Sequence, residues 1–271
     1  MYKASYFLAA LLVGFGGIAR AQDAKSDSFK PRFYAFQNGV SFGSLENEAK
    51  TLKQLGYDGI SQVKAGGSKL AERIAAYDNA GLKVLSIYLN VDDVPIAAEK
   101  VEPFKNRGAM IELTVRKMTP KTVEAVRQTA EMSAKMKIRV ALYPHHGNAV
   151  ATMPQAMDLI ARVDHPNLGV MFNLCHFLKG EKAEDLEQVL EKAGSRLFAV
   201  STSGANLGGR GWGDLIKPLD QGNFPQERLF RALKKLGFRG PVGLQCYGVR
   251  GDKRANLNSS MVAWRKILGE F

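Results

Sequence analysis

Hydrophobic and polar positions repeat in one arrangement from residue 31 to the end of the chain. A short apolar run typical of a buried strand ends at polar residues, and a stretch with apolar residues at helical spacing follows it. Glycines such as Gly81 and Gly237 mark helix ends. The pattern predicts eight strands, at 33–38, 58–63, 83–89, 108–115, 138–143, 168–176, 196–201 and 241–247.

Eight strands alternating with helices in roughly 240 residues predict a single (β/α)8 TIM barrel over residues 31–271. An open doubly wound sheet is the alternative architecture. It usually carries a glycine-rich phosphate turn after its first strand, and this chain has none there. The closed barrel is therefore favoured.

Alternation along each strand predicts which side chains point into the barrel, because neighbouring residues face opposite sides. In the third strand we expect Leu85, Ile87 and Leu89 to face the helices, and in the fourth strand Ile111 and Leu113. The polar side chains left at the carboxyl ends of the strands, where barrel enzymes keep their chemistry, are Tyr88, Glu112, Tyr143, His145, Asn173, His176, Ser201, Gln245 and Tyr247.

The first 30 residues do not share this pattern. Lys3 precedes an apolar run over 6–18, and Ala19-Arg20-Ala21 has the small-x-small form of a signal peptidase site. About 13 apolar residues interrupted by glycines are too few to span a bilayer comfortably, although a membrane anchor is the competing interpretation. We expect a signal peptide at 1–21, a flexible leader at 22–30, and a secreted or periplasmic product without a further membrane span.

Charge and cysteine content narrow the possible partners. The net charge is +12, but the basic residues are spread over helix exteriors among acids, so solvated helix faces explain it better than a nucleic-acid surface. We therefore expect no nucleic-acid partner. Cys175 and Cys246 should lie on different sides of the sheet, and we expect both to be reduced and buried.

Several strand ends carry a family resemblance. Tyr143-Pro144-His145, Asn173-Leu174-Cys175-His176, the loop 216–222 and the closing segment 237–241 resemble the xylose isomerase-like TIM barrel superfamily, the sugar phosphate isomerase/epimerase group. The resemblance implies a divalent metal cofactor. At the usual ligand positions, however, the chain has Tyr143, Asn173, His176, Ser201 and Gln245, of which His176 alone keeps the usual type. We therefore expect the usual metal site to be lost and leave the cofactor open.

Three groups that can carry protons remain at the mouth: His145, His176 and Glu112. We predict these as catalytic residues, because removal of a proton beside a sugar carbonyl needs a positioned base. Two alternatives stay open: that Glu112 pairs with Arg116, and that Glu112, His145 and His176 together bind Fe²⁺, Mn²⁺ or Zn²⁺.

Neutral side chains around the histidines are predicted to bind substrate. Trp212, in a glycine-rich loop over 203–223, could act on a lid that lays its ring on a sugar; a plain loop is the alternative. The predicted substrate-binding residues are Tyr143, Asn173, Gln245, Tyr247, Tyr88, Ser201 and Trp212.

The sequence thus predicts an exported carbohydrate-processing barrel that removes a proton next to the carbonyl of a free or keto-sugar, with isomerisation, epimerisation or elimination as the outcome. Its partner would be a small-molecule carbohydrate. The alternative is a non-catalytic carbohydrate-binding barrel that has lost the metal site. An endonuclease is disfavoured, because its multi-zinc site needs more histidines than the four in this chain.

Overall fold

The computed structural model describes residues 1–2 and 29–271. The predicted signal peptide beyond residue 2 and most of the predicted leader lie outside the described residues. Two leader residues, Phe29 and Lys30, are described, and Phe29 is buried against the rings of Phe230 and Phe271. Packing of the domain therefore includes Phe29, two residues before the predicted boundary.

The described chain alternates strands and helices. The strands are β1 (Phe33–Phe36), β2 (Gly59–Ser61), β3 (Lys83–Val84), β4 (Ser86–Asn90), β5 (Met110–Thr114), β6 (Arg139–Leu142), β7 (Leu168–Asn173), β8 (Leu197–Thr202) and β9 (Val242–Leu244). The helices are α1 (Leu45–Leu55), α2 (Ser68–Asn79), α3 (Thr122–Lys135), α4 (Met153–Val163), α5 (Leu174–Gly180), α6 (Leu186–Ala193), α7 (Trp212–Leu215), α8 (Gln226–Lys235) and α9 (Lys253–Leu268).

All neighbouring strands in the sheet are parallel, in the order β3, β2, β1, β9, β8, β7, β6, β5, β4. Leu85 alone separates β3 from β4, so these two segments are parts of one barrel strand. The first part pairs with β2 and the second with β5, which closes the ring. The predicted (β/α)8 barrel is confirmed.

Local sequence signals explain where the helices begin and end. Thr152 caps α4 through a hydrogen bond from the Gln155 amide, and the Gln155 side chain binds back to the Thr152 amide. Gly56 ends α1 in the left-handed conformation that glycine adopts easily. The last helix, α9, packs on β1 through Trp264, whose ring stacks on Phe33 with centroids 4.2 Å apart.

The barrel has an outer core, between sheet and helices, and a smaller inner core. The predicted outward residues Ile87, Ile111 and Leu113 are in the outer core. The inner core contains Phe36, Met110, Ala141, Tyr143, Met171, Phe198 and Ala199, with Leu85 and Tyr88 against it. Any Cβ at Gly243 would lie 2.2 Å from the Phe36 ring, so this inward position requires glycine.

Two positions depart from simple alternation. Leu85 was expected to face the helices, but it packs against the inner core because the strand is interrupted at that residue. Phe198 also faces inward, together with its neighbour Ala199. There the pairing of β7 with β8 shifts register between Val170 and Met171, which is a β-bulge.

The cysteines are both free thiols, Cys175 buried and Cys246 half-buried, so the expectation that both are buried is wrong for Cys246. Cys175 lies on α5 rather than on a strand and packs against Leu215 and Ile216. In residues 29–271 no helix is both long and apolar enough to pass through a bilayer.

Thiol chemistry provides a direct test of this arrangement. Unreduced protein in denaturant should take up two alkyl groups per chain by mass spectrometry, and native protein should react first at Cys246. Burial raises the pKa of both thiols, so the expected difference in rate comes from access. The buried Cys175 thiol should react at least about tenfold more slowly than the half-buried Cys246 thiol. Recovery of a disulfide, or faster labelling of Cys175, would contradict the structure.

Candidate functional site

The carboxyl ends of the barrel strands surround a cavity of about 310 Å³, here called the histidine cavity. Seven of the predicted site residues line it, and four further residues do so that the sequence did not single out. The lining residues are Tyr88, Tyr143, His145, His176, Trp212, Gln245 and Tyr247, together with Asn38, Gln62, Lys64 and Ile216.

Two imidazole rings form one wall of this cavity. His145 follows β6 and its ring centroid lies 4.0 Å from that of His176. The sequence predicted that His176 ends the strand over 168–176, but His176 is not part of β7. The strand ends at Asn173, whose side chain accepts a hydrogen bond from the His176 amide at 3.3 Å and so caps α5. His176 therefore sits in the first turn of a helix.

The two imidazoles have opposite hydrogen-bonding roles. His145 Nδ1 lies 3.0 Å from the His146 carbonyl oxygen, to which it must donate. His176 Nδ1 accepts from the His146 backbone N–H at 3.2 Å. In the neutral rings this assigns the remaining proton of His176 to Nε2 and leaves Nε2 of His145 with a free lone pair. His145 is thus arranged as a base and His176 as a donor.

The pKa values of both histidines support these roles. Burial, together with the neighbouring His145 and His146, lowers the pKa of His176 to about 3. Burial also lowers the pKa of His145, an effect that the hydrogen bond with the His146 carbonyl opposes. Both rings are consequently neutral at pH 7.

A buried hydrogen-bond network lies beneath the cavity. Tyr143 Oη accepts from Asn173 Nδ2 at 2.6 Å and is 3.5 Å from Gln245 Nε2. Gln245 Oε1 in turn accepts from Asn38 Nδ2 at 2.6 Å. Burial raises the pKa of Tyr143 well above 10, so the phenol stays protonated. Asn173 faces this network and not the cavity.

Glu112 is almost fully buried below the cavity floor, and it does not line the cavity. Its carboxylate accepts from Gln62 Nε2 at 2.9 Å and from Ser86 Oγ at 2.5 Å. The proposed pairing with Arg116 is therefore wrong. Burial raises the pKa of Glu112 to about 7, while the hydrogen bonds from Ser86 and Gln62 oppose that rise.

Gln62 links Glu112 to the cavity and was missed in the sequence analysis. It is buried, lines the cavity and has a positive φ of 55°, a strained conformation for a residue other than glycine. Asn38 was missed as well. Asn38 follows β1 and Gln62 follows β2, and the inward-facing positions were predicted only for later strands. Polar residues directly after those strands were the available signal.

The remaining predicted residues occupy different positions. Ser201 is buried, its Oγ has no hydrogen-bond partner within residues 29–271, and it does not line the cavity. Trp212 begins α7, lines the cavity, and has its ring centroid 5.1 Å from His176. Its loop is held by bridges between Gly204 and Lys217 and between Ala205 and Gly222.

The donor set does not suit a divalent metal ion. Tyr143, Asn173 and Gln245, which stand at the usual ligand positions, are neutral and are hydrogen-bonded to one another. Glu112, His145 and His176 do not form an alternative metal site, because both Glu112 oxygens are engaged below the cavity. Within 29–271 no group of three or more His, Cys, Asp or Glu residues could hold a metal.

Comparison with solved structures shows the same fold in carbohydrate enzymes. The apo 3-keto-D-glucoside 4-epimerase YcjR from E. coli matches 88% of this chain and 99% of its own, with a TM-score of 0.66 and 16% identity. An L-ribulose 3-epimerase covers 89% and 95%, with a TM-score of 0.70 and 14% identity. The IOLI protein, described with a bound zinc atom, covers 89% and 99%, with a TM-score of 0.68 and 17% identity.

At such identities the likeness to these structures concerns the fold alone. No curated protein matches the chain significantly. The family model described as xylose isomerase-like TIM barrel matches residues 116–267, which is more than half of the chain and includes four of its barrel strands, β6 to β9. The protein therefore belongs to the xylose isomerase-like TIM barrel family.

Proposed function

We propose that the protein is a carbohydrate-modifying enzyme that moves a proton next to the carbonyl of a keto-sugar. The observation that carries the proposal is the pair of neutral imidazoles at the barrel mouth, one arranged as base and one as donor. Structural neighbours named as sugar epimerases support the substrate class.

The chemistry follows from the two ring nitrogens. His145 Nε2 takes the proton from the carbon beside the carbonyl. The electron pair of that C–H bond forms a C=C bond to the carbonyl carbon, and the π pair of the carbonyl moves onto its oxygen. His176 Nε2–H donates to this developing enolate oxygen, and its low pKa keeps the ring a neutral donor throughout. Return of the proton to another position or face gives an isomer or epimer, and loss of a β-substituent gives elimination.

Substrate orientation falls to the other walls. The rings of Tyr88, Tyr247 and Trp212 offer apolar faces for the C–H side of a sugar. Gln62, Asn38 and Gln245 offer amide groups for its hydroxyls. Glu112, below the floor, holds Gln62 and is a positioning residue.

Proton exchange in D₂O tests this proposal. The protein is incubated with a panel of keto-hexoses and keto-glycosides, and NMR follows loss of the C–H signal beside the carbonyl. Exchange faster than in protein-free buffer for at least one substrate is the expected result. Ligand binding without exchange would favour the alternative, a non-catalytic carbohydrate-binding barrel. The observation that supports this alternative is the loss of the metal-binding carboxylates.

We also propose that the chain is exported, on the basis of its amino-terminal sequence. Expression with the complete amino terminus followed by terminal sequencing tests it. A mature chain beginning at Gln22 is expected.

A further inference from the structure

A second cavity opens beside the histidine cavity. It has a volume of about 240 Å³ and is here called the lysine cavity. Asn38 and Gln245 line both cavities, and the 2.6 Å hydrogen bond between their side chains forms the shared wall. A ligand bound in one cavity can therefore extend into the other across this pair.

The charges around the two cavities have one sign. Lys217 and Lys253 line the lysine cavity, and Lys64 lines the histidine cavity. No aspartate or glutamate of residues 29–271 lines either one. Neither the Lys217 nor the Lys253 ammonium group has a hydrogen-bond or ion-pair partner in the described chain. Unpaired ammonium groups in a concave site attract an anion.

The size and walls of the lysine cavity exceed what a bare anion requires. Beside the two lysines, apolar residues line the cavity, of which Val249 is half-buried and Leu244 and Leu257 are buried. An isolated phosphate or carboxylate would leave these walls uncovered. A ring or polyol chain bearing an anionic group would cover them and would place its charge at the ammonium groups.

We propose that the lysine cavity is a subsite for the second unit of an acidic two-unit carbohydrate, whose first unit occupies the histidine cavity. The proposal rests on the proposed function for the identity of the first unit. The bond that joins the two units lies over Asn38 and Gln245. Lys217 and Lys253 bind the oxyanion of the second unit.

Isothermal titration calorimetry of the purified protein tests the subsite without any need for turnover. The probes are lactobionate and maltobionate, their neutral counterparts lactose and maltose, and gluconate as a one-unit anion. At least one acidic disaccharide should bind about tenfold more tightly than both its neutral counterpart and gluconate. Inorganic phosphate should not reproduce its affinity.

Lysine variants test whether the two ammonium groups of the lysine cavity cause the preference for the acidic disaccharide. Lys217→Gln and Lys253→Gln should each weaken binding of the acidic disaccharide about fivefold to tenfold and leave the neutral one unchanged. Lys266→Gln is the matched control, because it removes the same charge from an exposed position of α9 outside both cavities. It should have no effect beyond about twofold.

Three results would overturn the subsite: no measurable binding of either acidic disaccharide, equal binding of the neutral sugars or gluconate, or equal loss in Lys266→Gln. Proton exchange without the binding preference would overturn the subsite and leave the proposed function intact. The binding preference without proton exchange would support the subsite and overturn the proposed function.

Discussion

Replacement of His145 by Gln should lower kcat/KM for the proton-transfer reaction by about 10²–10⁴-fold, the usual contribution of a positioned general base. The glutamine amide cannot take the proton, although it can occupy much of the space of the ring. His145 is only half-buried and its side chain has one protein hydrogen bond, to the His146 carbonyl. The melting temperature should therefore shift by no more than a few degrees.

The matched control is His165→Gln, which makes the same substitution in the turn between α4 and β7, at the other end of the barrel. Its activity should be unchanged, although the hydrogen bond from the Asn167 amide to the ring is altered. Full activity in His145→Gln would show that His145 is not the base.

In wild-type protein, kcat/KM should fall as the pH is lowered through a pKa below 6.5, because burial lowers the His145 pKa.

Replacement of Glu112 by Gln should remove a large pH dependence of stability. The folded-state pKa of Glu112 is raised to about 7 from an ordinary value of 4.5, so the folded protein holds this proton more tightly than the unfolded chain. The resulting stability is fully present below pH 4.5 and is lost as pH rises to about 7. The loss is on the order of 3 kcal/mol.

Urea unfolding between pH 4.5 and 8 measures this effect. Wild-type protein should lose stability over the interval, and the difference between wild type and Glu112→Gln should change by that amount. Glu187→Gln is a useful contrast, because Arg228 lowers the Glu187 pKa and its contribution runs in the opposite direction with pH. Parallel curves for wild type and Glu112→Gln would show that the pKa of Glu112 is not raised in the folded protein.

The sequence predicted the barrel and much of the cavity because both depend on local periodicity. Tyr143 and Gln245 face inward because each comes directly after an apolar residue that faces the helices. Alternation failed at Leu85, and it did not foresee Phe198, because an interruption and a bulge arise from pairing between strands and leave no mark in composition.

The hydrogen-bond partners of buried side chains could not be predicted from the local sequence pattern either. Glu112 binds Gln62 and Ser86, which are 50 and 26 residues away in sequence, and only the closed ring brings them together. The position of His176 depends on whether Asn173 continues a strand or caps a helix. Both are consistent with the residues Asn173-Leu174-Cys175-His176, and the hydrogen bond from the His176 amide decides between them.

The burial of Phe29 determines how the molecule can be attached to a surface. This ring lies four residues before β1, against Phe271 beyond the end of α9, so the chain enters at the amino ends of the strands. Both cavities open at the opposite pole. Immobilisation of the mature chain through a tag joined close to Phe29 should therefore leave their entrances facing solvent.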